Sequence, residues 1–277
     1  MKLEFSKYQG AGNDFVMVDD RRGIFPREDT SLVGRLCDRR YGIGADGLIL
    51  LREDPAADFA MVYYNSDGRE STMCGNGGRC IAAFARDLGI GDGQAVEFRA
   101  VDGMHKAVFK GKAVQLGMND VTSVTAMENG ISYEDIVPLW NCFLDTGSPH
   151  YVSMIKESLA SLDVARFGRA IRNNEHFAPR GGTNVNFVQE ENGKLLLRTY
   201  ERGVEDETLA CGTGTVAAAV AAHSMGVVSG EKVYLKAPGG CLEVDFRLES
   251  GGRYTDIRLT GPAEKVFDGI FCNEKER

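Results

Sequence analysis

Alternating and helically spaced apolar positions divide the chain into short strands and a few helices. Phe5-Ser6-Lys7-Tyr8-Gln9 and Phe15-Val16-Met17-Val18 read as two strands around the turn Gly10-Ala11-Gly12-Asn13-Asp14. Residues 31–37 have helical spacing with Thr30 or Ser31 as the cap. A glycine-rich loop over 39–47 follows, and then the apolar runs 48–51 and 59–64, which predict buried strands. Residues 96–118 alternate, with turns at Asp102-Gly103 and Lys110-Gly111, and predict a β-meander. Two Ala-rich stretches, 81–88 and 216–225, carry apolar residues at helical spacing and end at Gly89 and Gly226. Each follows a cysteine and a small-residue turn, Met73-Cys74-Gly75-Asn76-Gly77-Gly78 and Ala210-Cys211-Gly212-Thr213-Gly214. Both cysteines are therefore expected at helix N-termini, where unpaired N–H groups and the helix dipole favour a thiolate and attract an anion.

Composition narrows the use of these two starts. With 277 residues, 43% of them hydrophobic, the chain can build ample core in one large or two medium domains. A formal net charge of −8 argues against nucleic acid or an anionic membrane as partner, since both require clustered positive surface. No apolar signal core stands at the N-terminus, and the longest apolar run is far too short to cross a bilayer, so a cytoplasmic protein is expected. Seven cysteines without a secretory signal point to thiols rather than a disulfide framework.

The second half repeats the first in order. Gly12-Asn13-Asp14-Phe15-Val16 matches Gly147-Ser148-Pro149-His150-Tyr151-Val152, and Gly44-Ala45-Asp46-Gly47 matches Gly182-Thr183-Asn184-Val185. Tyr64-Asn65-Ser66-Asp67-Gly68 matches Tyr200-Glu201-Arg202-Gly203, and Cys74 matches Cys211, all at nearly one offset. Two homologous α/β (α+β) domains follow, each a curved, largely antiparallel sheet or barrel around the helix after its cysteine. The expected division is 1–120 and 121–264, and a pseudo-twofold would turn the two helix starts toward one another across a cleft.

Two such cysteines, one thiolate and one thiol, can remove a proton from one face of a carbon and deliver one to the other, which inverts it. Cysteine suits this because its ordinary pKa of about 8.5 is easily lowered at a helix start. Preorganised N–H groups aimed at a neighbouring carboxylate would stabilise the charge that develops when the weakly acidic proton leaves. No pyridoxal site is evident, and this chemistry calls for no cofactor and no metal.

Met73-Cys74-Gly75-Asn76-Gly77, Tyr200-Glu201-Arg202-Gly203 and Ala210-Cys211-Gly212-Thr213-Gly214, with Gly12-Asn13-Asp14-Phe15, resemble the diaminopimelate epimerase family over nearly the whole chain. The resemblance implies a cofactor-independent isomerase that interconverts LL- and meso-diaminopimelate in lysine and peptidoglycan biosynthesis, with Cys74 and Cys211 as the acid/base pair. It implies that 265–277 returns to the first domain. By the same resemblance Asn13, Asn65, Asn184 and Arg202 bind the distal end of the substrate, where a guanidinium can meet a carboxylate bidentately. Gly75, Asn76, Gly212 and Thr213 offer N–H groups to the reacting carboxylate, and His150 and Glu201 orient or polarise the thiols. The partner implied is a small-molecule substrate, with room for a homodimer. Two positions depart from the family pattern: Ser148, where asparagine is common and which as a substrate contact at the distal end keeps hydrogen-bonding capacity with a shorter reach, and Gly47, where some members carry glutamine.

Each reading has a plainer rival. Cys37, Cys80, Cys142, Cys241 and Cys272 read as small core residues. No Cys/His pair at zinc spacing accompanies Cys74 and Cys80, and no phosphate-binding glycine motif is present. His105, His176 and His223 read as surface or structural, and Arg79 and Arg86 as solvated or domain-contacting charges. Competing functions are another racemase of the proline racemase-like fold and a non-catalytic anion-binding protein. Asn76 and Glu201-Arg202 lean against the former. The sequence leaves open which thiol is ionised at rest.

Overall fold

The computed structural model describes residues 2–127, 138–156 and 158–272. Contacts divide the chain into two compact units, Met1–Leu116 with Gly261–Arg277, and Gly117–Thr260. Of the segment 265–277 expected in the first unit, residues 273–277 lie outside the described residues.

In the first unit β1 (Lys2–Gly10) and β2 (Asn13–Asp19) form an antiparallel hairpin with Gly10 opposite Asn13. Its turn residues Ala11 and Gly12 have φ of 54° and 85°, the left-handed geometry of a tight two-residue hairpin. A short helix, α1 (Thr30–Cys37), leads to β3 (Gly47–Arg52), parallel to β2, and β3 pairs antiparallel with β4 (Phe59–Asn65). The cap of α1 is neither Thr30 nor Ser31. Asp29 takes that place, accepting the Leu32 N–H at 2.9 Å, and Ser31 donates to the Asp29 carboxylate at 2.6 Å. A full negative charge at the positive end of the helix dipole does more there than a hydroxyl. The second helix, α2 (Gly75–Asp87), connects β4 to β5 (Ala95–Ala100) in parallel, and β6 (Gly103–Lys110) and β7 (Ala113–Gly117) complete the expected meander.

The strands β2 and β3 are covered on both faces, which accounts for their unbroken apolar runs. Val16, Val18, Leu48 and Leu50 pack with Leu32, Val33 and Leu36 of α1, while α2 lies against β1 to β5 and is buried from Gly75 to Ala85. The small residues after Cys74 are helix, not a turn before it. They are small because the sheet comes close: a Cβ on Gly77 would stand 2.9 Å from Ile49 Cδ1, and one on Gly78 2.9 Å from Leu116 Cδ2.

The second unit repeats this order. β8 (Val124–Ala126) pairs with β9 (Pro138–Asp145), and β9 forms an antiparallel hairpin with β10 (Pro149–Ile155). A helix, α3 (Val164–Arg172), crosses to β11 (Asn184–Glu191), parallel to β10. Next come β12 (Lys194–Glu201), antiparallel to β11, and a short β13 (Asp206–Thr208). The buried helix α4 (Gly212–Ser224) then leads to β14 (Lys232–Ala237), parallel to β12, and β15 (Gly240–Leu248) and β16 (Tyr254–Pro262) follow antiparallel. Because α4 is apolar on every side, it must be enclosed. Val216 to Ala222 are fully buried among β9 to β12, β14 and β15. The last strand, β17 (Glu264–Cys272), pairs antiparallel with β1, with Lys2 opposite Cys272.

Candidate active site

Cys74 is the N-cap of α2, in extended conformation, and the helix begins with Gly75. The hairpin turn brings Asn13 to it: Asn13 Oδ1 lies 3.8 Å from Cys74 Sγ and accepts from Asn76 Nδ2 at 3.3 Å. The Asn13 amide is fixed from behind, because its Nδ2 donates to Asp46. Asp46 is itself held by Arg39, at 2.8 Å, and Arg39 also grips Asp14 at 2.7 Å. The buried Lys7 ammonium completes this cluster at 2.9 Å from Asp14. Burial alone would push the Asp14 carboxyl up, but hydrogen bonds and charge from Arg39 and Lys7 bring it down to about 2. Behind Asn76 stands Arg79, which is fully buried and donates to Asn76 Oδ1 at 2.8 Å and toward the carbonyls of Gly75 and Pro262. The expectation of a solvated Arg79 is thus corrected, whereas Arg86 lies over the Phe109 ring at 4.6 Å and remains partly exposed.

Cys211 holds the same place at α4. Its sulfur accepts from the Gly214 N–H at 3.4 Å and lies 3.4 Å from Thr213 Oγ1. Ser148, in the β9–β10 turn, reaches Thr213 Oγ1 at 3.4 Å and His150 Nε2 at 3.0 Å. His150 Nδ1 meets Asn186 Nδ2 at 3.0 Å, and Asn186 is held by Thr199 Oγ1 at 3.0 Å and Tyr151 O at 3.1 Å. A Cβ on Gly214 would stand 2.4 Å from Asn186 Oδ1 and 3.3 Å from Cys211 Sγ. Gly214→Ala is therefore expected to displace the Asn186 amide, costing about 1 to 3 kcal/mol of stability by overpacking. Turnover should fall further than that strain alone explains, because Asn186 orients His150. Urea melts run alongside steady-state rates would separate the two effects.

Asn184 ties this half together. Its Nδ2 donates to Pro149 O at 3.1 Å and reaches Ser148 Oγ at 3.4 Å, and its Oδ1 accepts the Arg202 N–H at 2.9 Å. That backbone bond sets the loop carrying Arg202, whose half-buried guanidinium has no carboxylate partner among the described residues. Glu201, at the end of β12, accepts from Thr208 Oγ1 at 3.0 Å. Asn65 stands exposed at the end of β4, opposite Gly47. Helix geometry turns the first N–H groups of α2 and α4 outward, and these belong to Gly75 and Asn76, and to Gly212 and Thr213.

The sequence reading gave no site role to Asp14, Asp46, Arg79, Asn186 or Gly214. Asn186 did leave a signal, as a polar residue inside the apolar run Val185-Asn186-Phe187-Val188, where a strand covered on both faces must pair it. Burial pushes the His150 imidazole down to about 3, with the positive charge of Arg202 adding to the shift. The folded value lies below the ordinary 6.5, so the unfolded chain binds more protons in between. The stabilisation is complete above about pH 6.5 and is lost as pH falls from there toward about 3. Urea unfolding across that window should show this loss, and His150→Gln should remove most of its upper part. Asp14 responds only at lower pH, where its depressed carboxyl begins to protonate.

Of the remaining cysteines, Cys37, Cys80 and Cys142 are buried, and burial pushes each thiol up to about 12. Cys241 and Cys272 are exposed, against expectation, because strand alternation turns their neighbours Leu242 and Phe271 inward instead. His105 pairs with Asp102 at 2.9 Å, and His223 meets the Tyr254 hydroxyl at 3.0 Å. Among the described residues no three His, Cys, Asp or Glu side chains group as metal ligands, and no helix is long and apolar enough to cross a membrane.

The family model described as diaminopimelate epimerase matches residues 5–124 and 142–266. The chain belongs to the diaminopimelate epimerase family. Relatives named diaminopimelate epimerase include those of Flavobacterium psychrophilum, 46% identical over 96% of this chain and 99% of the relative, and Chlorobaculum tepidum, 44% identical over 94% and 98%. As a member of that family the chain is an isomerase of the epimerase type. Solved structures share the fold at low identity. A phenazine biosynthesis protein of the PhzF family from Bacillus anthracis superposes with a TM-score of 0.78 at 14% identity, covering 99% of this chain and 100% of the other. A hydroxyproline epimerase from Agrobacterium vitis superposes with a TM-score of 0.69 at 16% identity, covering 97% and 92%. Within the diaminopimelate epimerase frame the departure at Gly47 has a local cause. A Cβ there would stand 2.5 Å from both the Tyr63 ring and Tyr64 O, so this chain has no room for a longer side chain.

Proposed function

We propose that the protein interconverts LL- and meso-2,6-diaminopimelate without a cofactor, in the cytoplasm, as a step of lysine and peptidoglycan biosynthesis. Cys74 and Cys211 are the acid/base pair: one thiolate removes the α-proton and the other thiol delivers a proton to the opposite face. The N–H groups of Gly75, Asn76, Gly212 and Thr213 are assigned to the reacting carboxylate, where they stabilise the charge formed as the proton leaves. Arg202 is assigned to the distal carboxylate, with Asn13, Asn65, Ser148 and Asn184 around the distal end and His150 and Glu201 beside the thiols.

The observation that carries this reading is the duplicated cysteine. In each unit a cysteine is the N-cap residue of a buried helix; Asn13 of the β1–β2 hairpin reaches Cys74, and Ser148 of the β9–β10 connection reaches Thr213, whose hydroxyl meets Cys211. A structural cysteine needs no such surroundings. An Arg202 guanidinium without a carboxylate partner among the described residues further supports an acidic ligand.

The test is incubation of the purified protein with meso-diaminopimelate in deuterated buffer, without pyridoxal phosphate. Formation of the LL isomer with deuterium at one α-carbon is expected. Unlabelled, unchanged diaminopimelate would sink the proposal, and exchange into proline or hydroxyproline in its place would point to the racemase alternative.

A further inference from the structure

The loop that carries Arg202 is held by a side chain of its own. Residues 202–205 close the β12–β13 hairpin, with Glu201 opposite Asp206 and the Glu205 N–H bonded back to Glu201 O at 2.8 Å. Gly203 and Val204 at its tip are exposed, so packing does little to fix it. Glu205 has φ of 62°, the left-handed region in which a residue with a Cβ is strained and glycine is not. A strained residue of this kind persists where the surroundings hold it. Here the Glu205 carboxylate turns back over the loop. Its Oε1 accepts the Gly203 N–H at 2.9 Å, and its Oε2 accepts the Tyr200 hydroxyl at 3.2 Å.

Arg172, in the last turn of α3, reaches the same carboxylate from the other side, with Nε 2.8 Å from Oε1 and 2.7 Å from Oε2. Burial alone would push the Glu205 carboxyl up, but the Gly203 N–H and Arg172 outweigh it and hold the carboxyl below its usual range. The two arginines flank neighbouring glycines: a Cβ on Gly182 would collide with the Arg172 guanidinium, and one on Gly181 would stand 3.9 Å from Arg202 Nη1. Glu205 thus neutralises Arg172 and leaves Arg202 as the cation for a ligand carboxylate. A half-exposed ion pair adds little stability, which leaves alignment of the loop as its use.

We propose that Glu205 is a positioning residue for Arg202: it binds the N–H of the next residue and ties the loop to Arg172, so that the Arg202 guanidinium stands aligned for the distal carboxylate before the substrate arrives. This rests on the reading of Arg202 as the contact to that carboxylate. The distal end does not react, so its contacts are alike in ground and transition state. Lost alignment should therefore raise KM and spare kcat.

The test uses the whole protein, its Glu205→Gly, Glu205→Gln and Arg202→Met variants, and the double variant Glu205→Gly with Arg202→Met, all turning over meso-diaminopimelate. Glu205→Gly should raise KM about tenfold, the worth of one hydrogen bond to a charged group, with kcat within about twofold of wild type. Its melting temperature should hold, because glycine takes left-handed backbone without strain. Glutamine keeps an acceptor for the Gly203 N–H, so Glu205→Gln should recover most of the lost KM. Arg202→Met should lower kcat/KM about a hundredfold, and adding Glu205→Gly should lower it no further. Where Arg202→Met shows that loss, an unchanged KM in Glu205→Gly, a loss carried by kcat, or additive losses in the double variant overturns the Glu205 proposal alone. Wild-type kcat/KM in Arg202→Met removes the reading beneath it, and the proposal with it.

Discussion

Alanine at Cys74 or at Cys211 is expected to slow epimerisation by about a thousandfold or more, since under the proposed mechanism each change removes one of the two proton-transfer groups. The fold should survive, because each cysteine is a small cap at a helix start whose core lies further along, at Ile81 to Ala85 and Val216 to Ala222. The two variants should also differ in kind. A chain that keeps one acid/base thiol can still take a proton from the face that thiol serves and return a solvent deuteron to it. Each variant should therefore exchange one stereoisomer slowly without inverting it, and the two should exchange opposite isomers. Mass spectrometry of separated LL and meso forms after incubation in deuterated buffer reads both quantities. Near-normal inversion by either variant would eliminate the two-thiol mechanism. Identical exchange patterns in both would mean that the thiols do not serve different faces.

What the sequence made legible follows from what sets each feature. Strands such as Leu48-Ile49-Leu50-Leu51 and the meander after Val96 announce themselves through burial and alternation, and turns through their glycines. The internal repeat carried the topology, since Cys74 and Cys211 lie at equivalent points of two chains of elements in one order. Features that depend on what lies across a gap were not legible. Gly77 and Gly78 look like turn residues until the closeness of Ile49 and Leu116 shows that they are small for packing. Asp29 displaced Thr30 and Ser31 as a cap because charge, and not residue type alone, decided the competition. Ser148 read as a shortened substrate contact; its hydrogen bonds to His150 and Thr213 depend on a register between β10 and α4 that no local pattern encodes. Arg79, an arginine among small and apolar residues, gave the same kind of unheeded signal as Asn186.

Arg79 should respond differently to two substitutions that remove the same charge. It is among the largest fully buried side chains, and among the described residues its guanidinium donates to neutral acceptors only: the carbonyls of Gly75 and Pro262 and the amide oxygen of Asn76. Burial pushes its pKa down. A cation this close to the positive end of α2 is costly to keep there. Arg79→Ala adds a void in the middle of the unit and is expected to cost about 2 to 4 kcal/mol of stability. Arg79→Met fills most of that volume without burying a charge, so its stability should stay within about 1.5 kcal/mol of wild type. Both variants free Asn76 Oδ1, and with it the second donor that holds Asn13 Oδ1 toward Cys74. Both should therefore lose turnover by about tenfold, the worth of one hydrogen bond to a charged group. Denaturant melts beside deuterium-exchange rates give both numbers. A fully active Arg79→Met would reduce Arg79 to packing, whereas an unstable one would mean that the buried guanidinium holds α2 to the Pro262 strand more strongly than its neutral acceptors suggest.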